Sequence, residues 1–288
     1  MALNEHKQVN RVGTMHKDCS KIMDPVTFSS SDSYIPILNW TDYPKFYSFS
    51  LEFQTNERNG ILAYILGAQN DATVPANSSL VSLSRDFFSL EIHDKFLNAY
   101  INLGSKYSRH EITNERVSSG RSHQVSVVLN PMQAIIRFDQ SEEKIINFDN
   151  ANNNDKLDLV GPLVIGGIYP SHVAPPSANP SLRLPPYFYS GMLGHGFVGC
   201  IQDVEVNGHY VNLTHFAALE GVSGISTEIC APMPDQCDLG NCLNEGVCLD
   251  GWNRFYCDCS STGFNGPTCN QRKSCFRCIY FHSFVEKK

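Results

Sequence analysis

Residues 87–103 read FFSLEIHDKFLNAYINL, with apolar side chains at Phe88, Leu90 and Ile92 and again at Leu97, Ala99, Ile101 and Leu103. A period of two belongs to a β-strand that buries one face and leaves the other in solvent, so the stretch predicts two half-buried strands. The same alternation extends in both directions. It runs through Tyr47, Phe49, Leu51 and Phe53 upstream, and through Val125, Val127, Leu129, Ala134, Ile136, Phe138, Leu163 and Ile165 downstream. No long helical periodicity competes with it. Short strands separated by Asn, Asp, Gly and Pro clusters predict an all-β antiparallel sandwich, whose rim loops are the natural place for binding.

The downstream part follows a different logic. Between Cys237 and Cys269 the chain reads CDLGNCLNEGVCLDGWNRFYCDCSSTGFNGPTC, with the spacing C-x4-C-x5-C-x8-C-x-C-x9-C. So short a stretch cannot bury enough apolar surface to fold on a core alone, so it needs cross-links, and disulfides persist in oxidising compartments. The chain is expected outside the cell. Cysteine spacing alone leaves the pairing open.

Composition excludes several functions. A net charge of -7 gives no basic footprint for nucleic acid. No apolar run approaches the roughly 20 residues that a membrane helix needs. Gly194, Gly196 and Gly199 fit G-x-G-x-x-G, yet they lead into the alternation of Ile201, Val204 and Val206 rather than a helix, which removes the dinucleotide reading. Residues 149–155 (DNANNND) lack the sixth-position Gly and closing Glu of an EF-hand loop. H-E-x-x-H, G-x-S-x-G and P-loop motifs are missing, so the chain is not expected to be an enzyme.

The ends are expected to be edges of a longer protein. The first residues lack the apolar stretch of a signal peptide although the cysteines demand export, which reads Met1 as a fragment or gene-model start. Cys275 and Cys278 in the tail fit no module, and a truncated or mis-spliced end accounts for them better than a redox C-x-x-C.

Two passages carry a family resemblance. The six-cysteine spacing, with Tyr256 before the fourth cysteine and Gly263, Phe264 and Gly266 before the sixth, resembles an EGF-like module. Residues 194–208 (GHGFVGCIQDVEVNG) resemble the closing segment of laminin G-like domains, where a cysteine strand runs into a hairpin with an Asn-Gly turn. Together with residues 23–28 (MDPVTF), 59–62 (NGIL), Gly166-Gly167 and 250–254 (DGWNR), the order of modules is similar to that of the α-neurexin family, specifically its third laminin G-like (LNS) domain and second EGF-like module. Contactin-associated proteins share the module types.

The resemblance implies a jelly-roll laminin G-like sandwich over residues 23–230 and an EGF-like module over 233–270. Residues 1–22 would be a remnant of a preceding domain, with Cys19 left unpaired, and 271–288 a non-domain tail. It implies disulfides Cys200–Cys230, Cys237–Cys248, Cys242–Cys257 and Cys259–Cys269. It also implies a calcium ion at one rim, held by the carboxylates of Asp86 and Asp158 and the backbone carbonyls of Leu103 and Lys156, because calcium accepts six to eight hard oxygen ligands in flexible geometry. Where relatives carry Trp-His-x-Val, this chain has Ser122-His123-Gln124-Val125, which predicts a missing core aromatic.

The implied function is recognition of cell-surface proteins or glycans by a neuronal adhesion receptor, membrane-anchored and at a synapse or other cell junction. The alternative is a matrix module that binds glycans. Asn39, Asn77 and Asn212 head N-glycosylation sequons. Asp250 sits in a pattern similar to sites of aspartate β-hydroxylation.

Overall fold

The computed structural model describes residues 24–37, 47–69, 85–103, 107–148, 157–169, 195–220, 223–227, 230, 235–238, 240–252 and 254–273. The chain divides into two compact units, Met1–Pro232 and Met233–Lys288.

The larger unit contains β1 (Val26–Phe28), β2 (Ile35–Ile37), β3 (Tyr47–Gln54), β4 (Gly60–Gln69), β5 (Arg85–His93), β6 (Phe96–Asn102), β7 (Tyr107–Glu111) and β8 (Ser122–Asn130). It continues with β9 (Gln133–Phe138), β10 (Lys144–Asn147), β11 (Leu163–Ile165), β12 (Gly199–Val206), β13 (His209–Tyr210), the helix α1 (Leu213–Glu220) and β14 (Ile225–Ser226). One sheet has eight strands in the order β10-β9-β8-β3-β12-β1-β14, with β13 on β12; the other has six, in the order β2-β11-β4-β5-β6-β7. Every named pairing is antiparallel.

The alternating apolar positions meet between the sheets. Phe49, Leu51, Phe53, Phe88, Leu90, Ile92, Leu97, Ala99, Ile101, Val125, Val127 and Leu129 all belong to one buried cluster. Phe49 and Phe88 touch edge to face across it, with centroids 6.2 Å apart. This is the aligned sandwich that the period of two implies. The glycines 196 and 199 feed a strand, β12, which then turns at Asn207-Gly208 with φ of +49° and +76°. Those left-handed angles are what a two-residue hairpin requires. The Asn207 Oδ1 also accepts the N–H of Ser48 at 2.8 Å, pinning the turn to β3.

Two expectations change. Strand β4 carries GILAYILGAQ, in which Gly60 to Gly67 are all buried, so it shows no alternation; a central strand covered on both faces reads as a continuous apolar run. Strands β5 and β6 are not half-buried: Ser89, Glu91, Asn98 and Asn102, which the alternation assigns to solvent, are 0%, 1%, 0% and 1% exposed.

The missing aromatic at position 122 also takes a different form. Ser122 is exposed on the outer side of β8, where its hydroxyl donates to Glu52 Oε1, so the position is no core site. His123 fills the adjoining space, 5.2 Å from the Phe138 ring and 5.8 Å from Phe53.

The smaller unit contains β15 (Val247–Gly251), β16 (Arg254–Asp258), β17 (Phe264–Asn265) and β18 (Gln271–Arg272), paired as two hairpins. Its disulfides join Cys237 to Cys248, Cys242 to Cys257 and Cys259 to Cys269, and the larger unit has Cys200 joined to Cys230. The Phe255 ring lies against Gly240, where an added Cβ would stand 2.6 Å from it, and Trp252 is 5% exposed. Cross-links and one aromatic contact thus take the place of a large core. Cys19, Cys275 and Cys278 lie outside the described residues.

Candidate functional site

The rim where β4 ends and β5 begins gathers three of the four expected ligand residues. Asp86 is the second residue of β5 and is 1% exposed. Phe87 pairs with Asn102, so the antiparallel register sets Asp86 opposite Leu103, which is 8% exposed. Asp158 arrives from a distant segment. Its N–H donates to Asp86 Oδ2 at 2.9 Å, while its own side chain is exposed. Lys156 lies outside the described residues.

The segment carrying Asp158 is held from both sheets. Leu157 N–H donates to Pro131 O in the turn between β8 and β9, and Val160 and Gly161 N–H donate to Leu66 O in β4. Tyr47 Oη donates to Leu159 O at 2.9 Å. Gly67 makes the close approach possible. An added Cβ there would stand 2.2 Å from Asp158 O and 2.7 Å from the Asp86 Cβ, so any larger residue would fill the cradle.

Among the described residues no group of three or more His, Cys, Asp or Glu side chains converges as a metal cluster. The oxygens that this rim could offer are the Asp86 and Asp158 carboxylates and the Leu103 carbonyl, from separate segments. Oxygen ligands of that kind would suit a hard cation that tolerates irregular geometry and retained water, as calcium does and zinc does not.

The other expected sites divide in the same way. Asn212 caps α1, since its Oδ1 accepts the His215 N–H at 2.9 Å and the Thr214 hydroxyl at 2.6 Å, the usual task of Asn at a helix start. Asn39 and Asn77 lie outside the described residues. Asp250 Oδ1 accepts the Gln236 N–H at 2.7 Å, tying the first turn of the smaller unit to its main hairpin.

Sequence reasoning passed over two features. A cleft of about 580 Å³ opens at the opposite rim, lined by residues 111–115 and by Phe138, Asp139, Gln140, Ser141 and Lys144. On the outer face of the six-stranded sheet, polar residues stand among a second buried cluster that includes Ile61, Tyr64, Phe87 and Tyr100. There burial pushes the Glu91 carboxyl up to about 8, opposed by the Ser89 hydroxyl and by the charge of Arg109. The signal was present as polar residues on alternate positions, but the same pattern describes a wet face.

Known proteins supply the comparison. The Laminin G domain family matches residues 53–209, and the EGF-like domain family matches residues 237–268. Neurexin-2 of Rattus norvegicus is 30% identical over 249 residues, which cover 86% of this chain and 14% of that protein. Neurexin-3a of Danio rerio is 29% identical over 255 residues, or 88% of this chain and 14% of that protein. The chain thus spans about one seventh of the length of these relatives. Among solved structures, domains LG4-5 of the mouse laminin alpha1 chain superpose with a TM-score of 0.50 at 18% identity, covering 78% of this chain and 50% of that one, a likeness of fold.

Proposed function

The chain belongs to the laminin G domain family, and from that premise we propose that it is a recognition module of a neurexin-like cell-adhesion receptor, with calcium at one rim of the sandwich. Its extracellular, disulfide-bonded EGF-like unit would serve as a spacer to further domains. The observation that supports the reading is that the Asp158 backbone meets Asp86 beside Gly67, with Leu103 opposite Asp86 on the next strand. Asp86 and Asp158 would supply carboxylates, and Leu103 and Lys156 backbone carbonyls. Bound calcium would provide a fixed positive charge with open coordination positions for partner oxygens. The partners would be cell-surface proteins or glycans across a cell junction.

Titration calorimetry with calcium tests the site. Weak binding is expected in the native chain, lost in Asp86→Ala and diminished in Asp158→Ala, whose exposed side chain makes it the safer variant for folding. Isotherms unchanged in both variants would overturn the assignment. Capture of neuronal membrane proteins with and without calcium then tests the adhesion role.

A further inference from the structure

The outer face of the six-stranded sheet is ordered in rows. Ser89, Tyr100 and Arg109 pair across β5, β6 and β7; Glu91, Asn98 and Glu111 form the row on one side, and Phe87, Asn102 and Tyr107 the row on the other. Most of this array is buried, and it reaches solvent at β7, where Arg109 is exposed and Tyr107 half-buried.

Arg109 is oriented rather than loose. The Asn98 amide donates to Phe96 O at 2.9 Å, which turns its Oδ1 to accept Arg109 Nε at 3.0 Å. The guanidinium lies 5.9 Å from the Tyr100 ring centroid, and Tyr100 stacks on Tyr107 with centroids 6.0 Å apart and planes at 25°. Arg109 forms no ion pair with the described residues. Its two terminal nitrogens therefore remain to grip a planar acceptor, the geometry that favours carboxylates. Beside it, the Tyr100 hydroxyl is fully buried and has no hydrogen-bond partner among the described residues, a second sign that the array is short of an acceptor.

We propose that Arg109 and Tyr107 form a binding site for a sugar that carries a single carboxylate, of the uronic or sialic acid class. The guanidinium fork takes the carboxylate, and the Tyr107 edge of the aromatic stack meets the apolar C–H face of the ring. Exposed Glu111, two residues along the same strand, selects against a dense polyanion such as heparin.

Charges around the fork set a pH limit. The titratable and charged groups on the elements packed beside Glu91 are Tyr64 on β4, which pairs with Ser89, His93 on its own strand, Tyr100 on β6, and Arg109 and Glu111 on β7. Burial, and then Arg109, push the His93 imidazole down, while burial holds Glu91 protonated up to about pH 8. Below that pH Glu91 leaves the charge of Arg109 available; above it, the new carboxylate competes with the ligand. Glu91 is thus a positioning residue that acts through Arg109.

The test is an NMR titration of the full chain in excess EGTA, which separates this site from the calcium rim. The probes are the methyl glycosides of glucuronic acid and of glucose. Expected are shifts at Tyr107 and Arg109, an affinity for the glucuronide at least about tenfold above that for the glucoside, and a loss of about tenfold or more in Arg109→Gln. Arg109→Lys should restore only part of it, because an ammonium lacks the fork. Affinity should fall above pH ~8 in the native chain, and Glu91→Gln should abolish that fall. Equal affinity for both glycosides, binding indifferent to Arg109→Gln, or tighter binding of N-acetylglutamate amide than of the glucuronide would each overturn the proposal.

Discussion

The eight-stranded sheet turns outward Ser48, Ser50, Glu52, Gln124, Ser126, Val128 and Arg137, all half-buried or exposed, with Gln54 and Gln202 buried at its centre. The six-stranded sheet turns outward Tyr64, Ser89, Glu91, Asn98, Tyr100 and Asn102, none more than 1% exposed. Both faces alternate with the same core, and both mix polar with apolar residues. The difference lies in side-chain size and in who satisfies whom. On the first face small hydroxyl and amide groups can be solvated by water; on the second, each polar group needs a protein partner, as Glu91 has in Ser89 and Asn98 in Arg109. One sheet therefore has a largely wet surface, and among the described residues the other has a second interior that reaches solvent at β7.

Truncation should expose this asymmetry most strongly. Tyr100→Ala removes a fully buried ring and should cost about 3–5 kcal/mol, as large aromatic deletions in a core do. Val128→Ala, at a side chain 40% exposed on the other face, should cost less than about 1 kcal/mol. Urea unfolding of the two variants measures both. Comparable losses would mean that the outer face of the six-stranded sheet is no interior.

The next effect is in pH. A carboxyl whose folded value is raised from 4.5 to about 8 keeps its proton in the native state while the unfolded chain releases it. Stability should therefore fall as pH rises from about 4.5 to about 8 and level off beyond. At about 1.4 kcal/mol per pH unit, the loss at pH 7 has a ceiling of roughly 3 kcal/mol. Glu91→Gln should recover most of it at pH 7 and little at pH 5. Denaturant titrations of both proteins at the two pH values check this, and parallel pH profiles would refute the buried-carboxyl account.

These faces also explain what the amino-acid order disclosed. Alternation located β3, β5, β6, β8 and β9 because the inner positions are apolar in every case. It could not tell a solvated outer face from a buried polar one, since Ser, Glu and Asn look alike in both. Strand β4 escaped the pattern because both of its faces are covered, and β7 because YSRHE has no apolar alternation. At the rim of β4 and β5, Asp86 and Asp158 were legible only through family spacing, because their close approach depends on Gly67, a residue with no side chain to signal it. Arg109 was not legible at all. Its role depends on Asn98 and Tyr100, placed beside it by register and not by sequence proximity.

Position 122 offers the smallest and most discriminating test. The family resemblance implies a tryptophan there, and in an interior such a ring would contribute several kcal/mol. Here Ser122 is exposed, and its hydroxyl shares Glu52 Oε1 with the Gln202 amide, which reaches the same oxygen at 2.9 Å. Ser122→Trp would lose one surface hydrogen bond and gain a ring lying on a half-wet strand. The two terms should nearly cancel, leaving stability within about 0.5 kcal/mol of the native chain in thermal melts. A gain above about 1 kcal/mol would show that the outer face of the eight-stranded sheet can also hold a buried aromatic, and the contrast between the two sheets would then rest on the residues chosen rather than on the architecture.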